Sequence, residues 1–220
     1  MCGRYVVKTP TKTIAKMHRV FDAPLFEPRY NVAPTQSVPV VRAKDGTREM
    51  VLVRWGLIPS WAKDAKIGYR LINARADTVA TKPSFRSAFK RRRCLVPADG
   101  FDEWKKGGTV KQPFYIHRKD EEPFAFAGLW ESWENPEDGK EVQTCSLITT
   151  EANELMAPIH DRMPVILDAV GCDRWLDVDE PVGGLQAFLK PFPPDALIAY
   201  PVSTYVNSPK NQGPKCIEPG

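Results

Sequence analysis

Twenty-one of the 220 residues are proline, about twice the ~5% share of an average protein. A proline ring fixes φ near −65° and removes a backbone donor, so helix interiors and central strands reject it. A chain punctuated this often cannot sustain the long helices of a bundle. It has to be built from short elements joined by shaped loops. The length suits one domain, residues 1–220, with ample chain to bury a core. Hydrophobic residues make up 42% and charged residues 26%, the balance of a globular protein. The net charge of +4 leans only mildly toward polyanions.

The five cysteines, Cys2, Cys94, Cys145, Cys172 and Cys216, are odd in number and widely spaced, without a C-x-x-C pair. With only three histidines beside them, neither a disulfide framework nor a structural zinc site is indicated. The reading is a protein of a reducing compartment, cytoplasmic (nucleoid-associated if bacterial), without metal or other cofactor. No apolar h-region follows Met1, and the longest apolar stretch, "FAFAGLW" (Phe124 to Trp130), is too short to span a bilayer.

Ile14, Met17, Val20 and Phe21 recur at helical spacing and predict a first helix over 11–21. "SVPVVRAKDGTREMVLVRW" predicts two strands around an Asp45-Gly46 turn. Pro83, Phe85, Ala88 and Phe89 suggest a short helix ending in the basic run Lys90 to Arg93. From Cys94 onward, "CLVPADGFDEW", "QPFYIHR", "PFAFAGLWESW" and "VQTCSLITT" are β-prone runs separated by "KKGGTV", "KDEE" and "ENPEDGKE". Beyond them, Glu151 to Met156 reads as a helical turn, "MPVIL" as a strand, and Asp168 to Asp177 as a helix, before an irregular end over 207–220. The expected fold is α+β, a single domain whose curved, largely antiparallel β core is barrel-like and carries short peripheral helices.

Four residues invite chemistry. Met1 precedes a small side chain, the usual condition for methionine removal, which leaves Cys2 with a free α-amine and thiol on adjacent carbons. Such a 1,2-aminothiol condenses with an aldehyde to a Schiff base and then closes a thiazolidine ring. Unperturbed pKa values of about 7.7–8.0 for the amine and about 8.5 for the thiol put both groups near their working range. The plain alternative is a frayed terminus. Glu103 lies in "DGFDEWK", where Gly100 suggests a close approach and Trp104 is placed to shield a carboxylate and raise its pKa; a solvated strand-end charge is the alternative. His160 in "APIHDRMPVIL" sits in a proline-bracketed loop beside Asp161 and Arg162, suited to proton transfer or simply packed. Asn73 in "LINARAD" can orient a reacting group through its amide or close a turn. Arginines (Arg4, Arg29, Arg70, Arg75 and Arg91 to Arg93) interleave with Tyr5, Tyr30, Trp55, Trp61 and Trp104. That composition suits single-stranded nucleic acid and equally suits surface arginines over core tryptophans.

"MCGRY", "RYNVAPTQ", "RWGLIPSWAKD", "LINARADT", "RCLVPADGFDEWK", "PFAFAGLW", "LITTEAN", "IHDRMPVIL" and "NSPKNQG" follow one another from residue 1 to about 213. In that order they resemble the SOS response-associated peptidase (SRAP) family, abasic-site shielding proteins that cross-link to DNA. The resemblance implies a compact α+β domain around a curved β core. It also implies a reaction, in which the mature N-terminal cysteine forms a thiazolidine with the ring-opened aldehyde of an abasic site in single-stranded DNA. On this chain the implied catalytic positions are Cys2, Asn73, Glu103 and His160. The implied DNA contacts are Arg4, Asn31, Pro34, Trp61, Arg75 and Trp104. With Met1 in place the α-amine of Cys2 is tied into a peptide bond, so the reaction requires its removal.

Three classes of function follow. The first is a monomeric DNA–protein cross-linking enzyme, with cross-link reversal and lyase activity through the Schiff base. The second is a cysteine peptidase, including removal of its own leader. The third is a non-covalent reader of single strands or modified bases. The expected partner is single-stranded DNA containing abasic sites, with no membrane involvement, and the absence of an obvious partner-binding tail favours a stand-alone, bacterial-type member.

Overall fold

The computed structural model describes residues 2–105 and 111–220; most of the "KKGGTV" separator lies outside them. Strand β1 (Arg4–Val7) leads to helix α1 (Thr11–Met17), which starts after Pro10 and buries Ile14 and Ala15. The helix is shorter than its periodicity predicts. Arg19 turns left-handed at φ 57°, which ends the helix, and Phe21 is left fully exposed. After β2 (Arg29–Val32) comes the expected hairpin of β3 (Ser37–Lys44) and β4 (Thr47–Trp55), in register from Ser37↔Arg54 to Lys44↔Thr47. Asp45 and Gly46 at its tip take φ of 48° and 76°, a pair of left-handed residues whose twist matches the strands.

A three-residue β5 (Asn73–Arg75) and helix α2 (Arg86–Arg91) precede β6 (Arg93–Ala98), so Arg93 begins a strand instead of closing the helix. The run "CLVPADGFDEW" is divided. Asp99 alone separates β6 from β7 (Gly100–Lys105), and its carboxylate accepts from the Lys8 and Thr9 amides at 2.6 and 3.0 Å. This corner passes the chain from one sheet to the other. The meander of β8 (Gln112–Arg118), β9 (Phe124–Glu134) and β10 (Glu141–Glu151) follows as expected. The predicted helical turn after Glu151 is a turn built on Asn153, whose carbonyl accepts from Met156 and Ala157. "MPVIL" splits at Val165 into β11 (Arg162–Pro164) and β12 (Ile166–Leu167), which pair with β10 and β9 respectively. Helix α3 (Ala169–Leu176), capped by Asp168, α4 (Val182–Gln186) and β13 (Leu197–Pro201) complete the regular structure.

Five strands close a ring. The pairs β4–β3, β3–β6, β6–β9 and β9–β10 are antiparallel, and β10 returns to β4 through Thr144↔Arg54 and Cys145↔Trp55 in parallel. Directions cannot alternate around an odd ring, so one pairing must be parallel. Past Cys145 that edge of β10 accepts β5 instead, also in parallel, from Leu147↔Asn73 to Thr149↔Arg75. A second sheet runs β2–β1–β7–β8–β13, antiparallel throughout. Its inner face packs on the barrel, where the Tyr5 ring meets Trp55 at 5.4 Å and Phe126 at 5.9 Å. Its outer face, with Val6 and Tyr115, is covered by Val202, Val206 and Cys216 of the C-terminal segment. A Cβ on Gly100 would stand 2.5 Å from the Tyr115 ring, so this approach requires glycine. The fold is a single α+β domain of the expected barrel-like kind. No helix of the described residues is long and apolar enough to cross a membrane.

Candidate functional site

Successive residues of a strand face opposite sides, and β7 puts both sides to use. Phe101 and Glu103 turn inward, where Phe101 shares the main core with Cys2 and Tyr5 and the Glu103 charge acts on Cys2. Asp102 and Trp104 turn outward. Cys2 is fully buried and Glu103 is 2% exposed. Asn73, at the head of β5, reaches the same place, its amide donating to the Cys2 carbonyl at 2.9 Å. The other end of that amide, Oδ1, is buried without a hydrogen-bond partner among the described residues. A buried acceptor is costly to leave unused.

His160 follows the Asn153 turn, its amide held by the Met156 carbonyl at 2.9 Å. Its Nδ1 lies 3.0 Å from the Arg162 amide and 2.9 Å from Asp161 Oδ1. The first contact needs a lone pair on Nδ1 and the second needs a proton there. The two contacts hold the ring in place at its Nδ1. Asp161, the neighbour of His160, also adds its negative charge to the field at Glu103.

Burial pushes the Glu103 carboxyl up to about 7, with Asp161 adding to the rise. Burial, and next the Glu103 charge, hold the Cys2 thiol well above its ordinary value. The pair is therefore a neutral thiol beside a carboxyl that exchanges protons near neutrality.

Trp104 is not the shield expected for Glu103. It lies on the opposite face of β7, donating its indole N–H to Asn207 Oδ1 at 2.7 Å, with the Arg4 guanidinium 5.8 Å from its ring centre. Arg4 donates to Asn31 Oδ1 and to the Val206 carbonyl, both at 3.0 Å. Asn31 is fully buried, and its Nδ2 donates to the carbonyls of Val206, Ser208 and Asn211 at 3.1, 2.9 and 3.1 Å. Arg4, Asn31 and Trp104 thus form a clasp that holds the C-terminal segment against the sheet. Gln212 closes it from the other side, bonding the Tyr30 amide and the Asn31 carbonyl at 3.1 and 3.0 Å. The segment is irregular as expected, yet firmly tied, and its signal in the sequence was the density of amide side chains in "NSPKNQG". Asp102, the β7 partner of Arg4 in β1, is buried there with neither carboxylate oxygen hydrogen-bonded to a described residue.

The remaining positions are dispersed. Pro34 is half-buried in a turn with Thr35 at φ 74°. Trp61 is 58% exposed. Arg75, exposed and paired with Asp77 at 2.7 Å, borders a cavity of about 540 Å³ together with Arg162. Arg162, which sequence reasoning used only as a neighbour of His160, also bonds Thr149 at the end of β10. Tyr5 and Trp55 are core residues and Arg93 is buried, so the interleaved arginines and aromatics do not form one surface. Among the described residues no group of three or more His, Cys, Asp or Glu is arranged to hold a metal ion.

The family model described as SOS response associated peptidase (SRAP) matches residues 1–209. The chain is 44% identical over 223 residues to the Bacillus subtilis protein named abasic site processing protein YoqW, covering 99% of each. It is 35% identical to the Gallus gallus abasic site processing protein HMCES, covering 88% of this chain and 67% of that one. A crystal structure of a Bacteroides thetaiotaomicron protein superposes with a TM-score of 0.91 at 31% identity over the whole of both chains.

Proposed function

Because the chain belongs to the SOS response associated peptidase (SRAP) family, we propose that it processes abasic sites in DNA, cross-linking through Cys2 to the ring-opened aldehyde in a single strand and so shielding the lesion. The names of its relatives support the substrate. The observation that carries the reaction is the convergence of Cys2, Asn73 and Glu103 in one buried place.

Once Met1 is hydrolysed away, the α-amine of Cys2 adds to the aldehyde carbon and the carbinolamine loses water to give the Schiff base. The thiol sulfur then bonds to that carbon, and its proton is transferred to the nitrogen. One water leaves and one ring forms. Glu103, titrating near 7, is suited to protonate the departing hydroxyl and to relay the proton of a thiol too basic to ionise alone. Asn73 holds the Cys2 carbonyl and so orients the nucleophile. His160 serves the earlier step, delivering a proton to the ring oxygen of the closed sugar. Hydrolysis of the Met1–Cys2 bond is the one peptidase act this reading needs, and reversal or β-elimination draws on the same Schiff base. Arg75 and Trp61 act as phosphate and base contacts and Pro34 as a further contact, while Arg4, Asn31 and Trp104 act indirectly, by holding the C-terminal segment in place.

Incubation with abasic and intact oligonucleotides, resolved on a denaturing gel and followed by peptide mapping, tests the proposal. A heat-stable adduct on Cys2 of protein lacking Met1, formed with the abasic strand alone, is the expected result. An adduct on another residue, or reaction with Met1 retained, overturns it.

A further inference from the structure

Apart from Trp61, the chain between Pro59 and Leu71 bears no role in the reading above, yet it is built as a surface. Its underside is anchored, with Ile58, Ala62 and Trp133 buried together and Ala65 and Ile67 packed against them. The Trp133 indole donates to the Ala62 carbonyl at 2.7 Å. Gly68 meets Gly56 so closely that a Cβ on either would stand 2.8 Å from the other's carbonyl oxygen. Two glycines therefore fix this segment to the end of β4. The same segment exposes Trp61 to 58% and Tyr69 to 59%, together with Lys63, Lys66 and Arg70.

Tyr69 is not a stray ring. The Arg54 guanidinium of β4 lies over it, 5.5 Å from the ring centre, which fixes and backs one face while more than half the residue stays open. A flat ring backed by a cation, in a segment that also exposes Lys63, Lys66 and Arg70, matches the chemistry of a single strand, whose bases stack and whose phosphates seek positive charge. Asp64 is the one acid in the segment, and it caps the turn by accepting from the Lys66 amide at 2.8 Å. The segment runs directly into Asn73, whose neighbour Ile72 is held by the Trp55 indole at 2.9 Å. A strand lying on it therefore leads toward the buried cysteine.

We propose that Tyr69, backed by Arg54, is a second base-stacking platform beside Trp61, and that Lys63, Lys66 and Arg70 track the phosphates of single-stranded DNA entering the site. This rests on the single-strand reading above. It adds that the protein grips a flank of intact nucleotides some way from the lesion.

Fluorescence anisotropy with unmodified oligothymidylates of graded length tests it. The ratio of wild-type to Tyr69→Ala affinity should rise from near unity on the shortest strands to about 5- to 100-fold on long ones, the range for one stacked base. Tyr69→Phe should restore most of that loss. The slope of log affinity against log salt should be unaltered by Tyr69→Ala and flattened by about 0.7 in Lys66→Ala, since stacking releases no counterion and a phosphate contact does. Wild-type protein that cross-links abasic strands while Tyr69→Ala binds every length equally well overturns this inference alone. Wild-type protein that neither binds nor cross-links single strands overturns the functional reading and this inference with it. An unchanged melting temperature for Tyr69→Ala assigns the loss to binding and not to folding.

Discussion

The side-chain amide of Asn73 donates to the main-chain carbonyl of Cys2 at 2.9 Å, so a strand laid down seventy-one residues later fixes the direction of the N-terminal nucleophile. Asn73→Ala should leave DNA affinity near wild type and lower the single-turnover cross-linking rate by about 100-fold, the typical effect of a small misplacement of reacting groups. Asn73→Asp loses the donor and should be equally slow. Wild-type rates in both variants would remove Asn73 from the mechanism.

Glu103 gives two pH signatures. Its carboxyl is pushed up to about 7 by burial, so the cross-linking rate should inflect near pH 7, and Glu103→Gln should abolish the inflection and slow the reaction about 10²–10⁴-fold. For stability the sign is fixed by linkage. A carboxyl whose native pKa exceeds its unfolded value costs the fold increasingly as pH rises from about 4.5 to about 7, and by a constant amount beyond. Denaturant titrations across that window should show a decline in the wild type that Glu103→Gln reduces.

Asp102 should contribute to stability with the same sign and no catalytic signature. Burial raises its pKa well above the ordinary carboxyl range, against a smaller opposing pull from Arg4. Asp102→Asn should therefore gain on wild type by about 1.4 kcal/mol per pH unit above the unfolded carboxyl pKa, until Asp102 ionises in the native protein. A stability difference independent of pH would show that this carboxyl is charged in the fold.

Asn31 tests the clasp. Asn31→Ala leaves three carbonyls of the C-terminal segment without their donor, and a loss of about 2–4 kcal/mol is expected from several buried bonds broken together. Limited proteolysis should then cut near residues 206–211 first. Protection equal to wild type would mean that the segment is held by its apolar contacts alone.

Legibility in the sequence followed the range of the deciding interaction. The Asp45-Gly46 hairpin was readable because adjacent residues set its turn. The break at Asp99 was not, since β-prone residues continue through the corner and the partners that turn it, Lys8 and Thr9, lie ninety residues away. Cys2, Asn73, Glu103 and His160 were recognisable as a set only by resemblance to a family. The roles of Asn31 and Trp104 depended on which face of a strand meets a segment more than a hundred residues onward. No local pattern states that.

The parallel seam between β4 and β10 has the character of a frustrated ring of arrows. Five strands that each prefer an opposed neighbour cannot all be satisfied, and the mismatch has to be lodged somewhere. Here it lies at Cys145 and Trp55, where β4 comes to its end. The edge of β10 that β4 gives up is taken by β5, which carries Asn73 and Arg75. A barrel of four or six strands could alternate all the way round and would need no such seam. The seam and the berth beside it thus share one edge of β10, and Asn73 of the candidate chemistry is moored there.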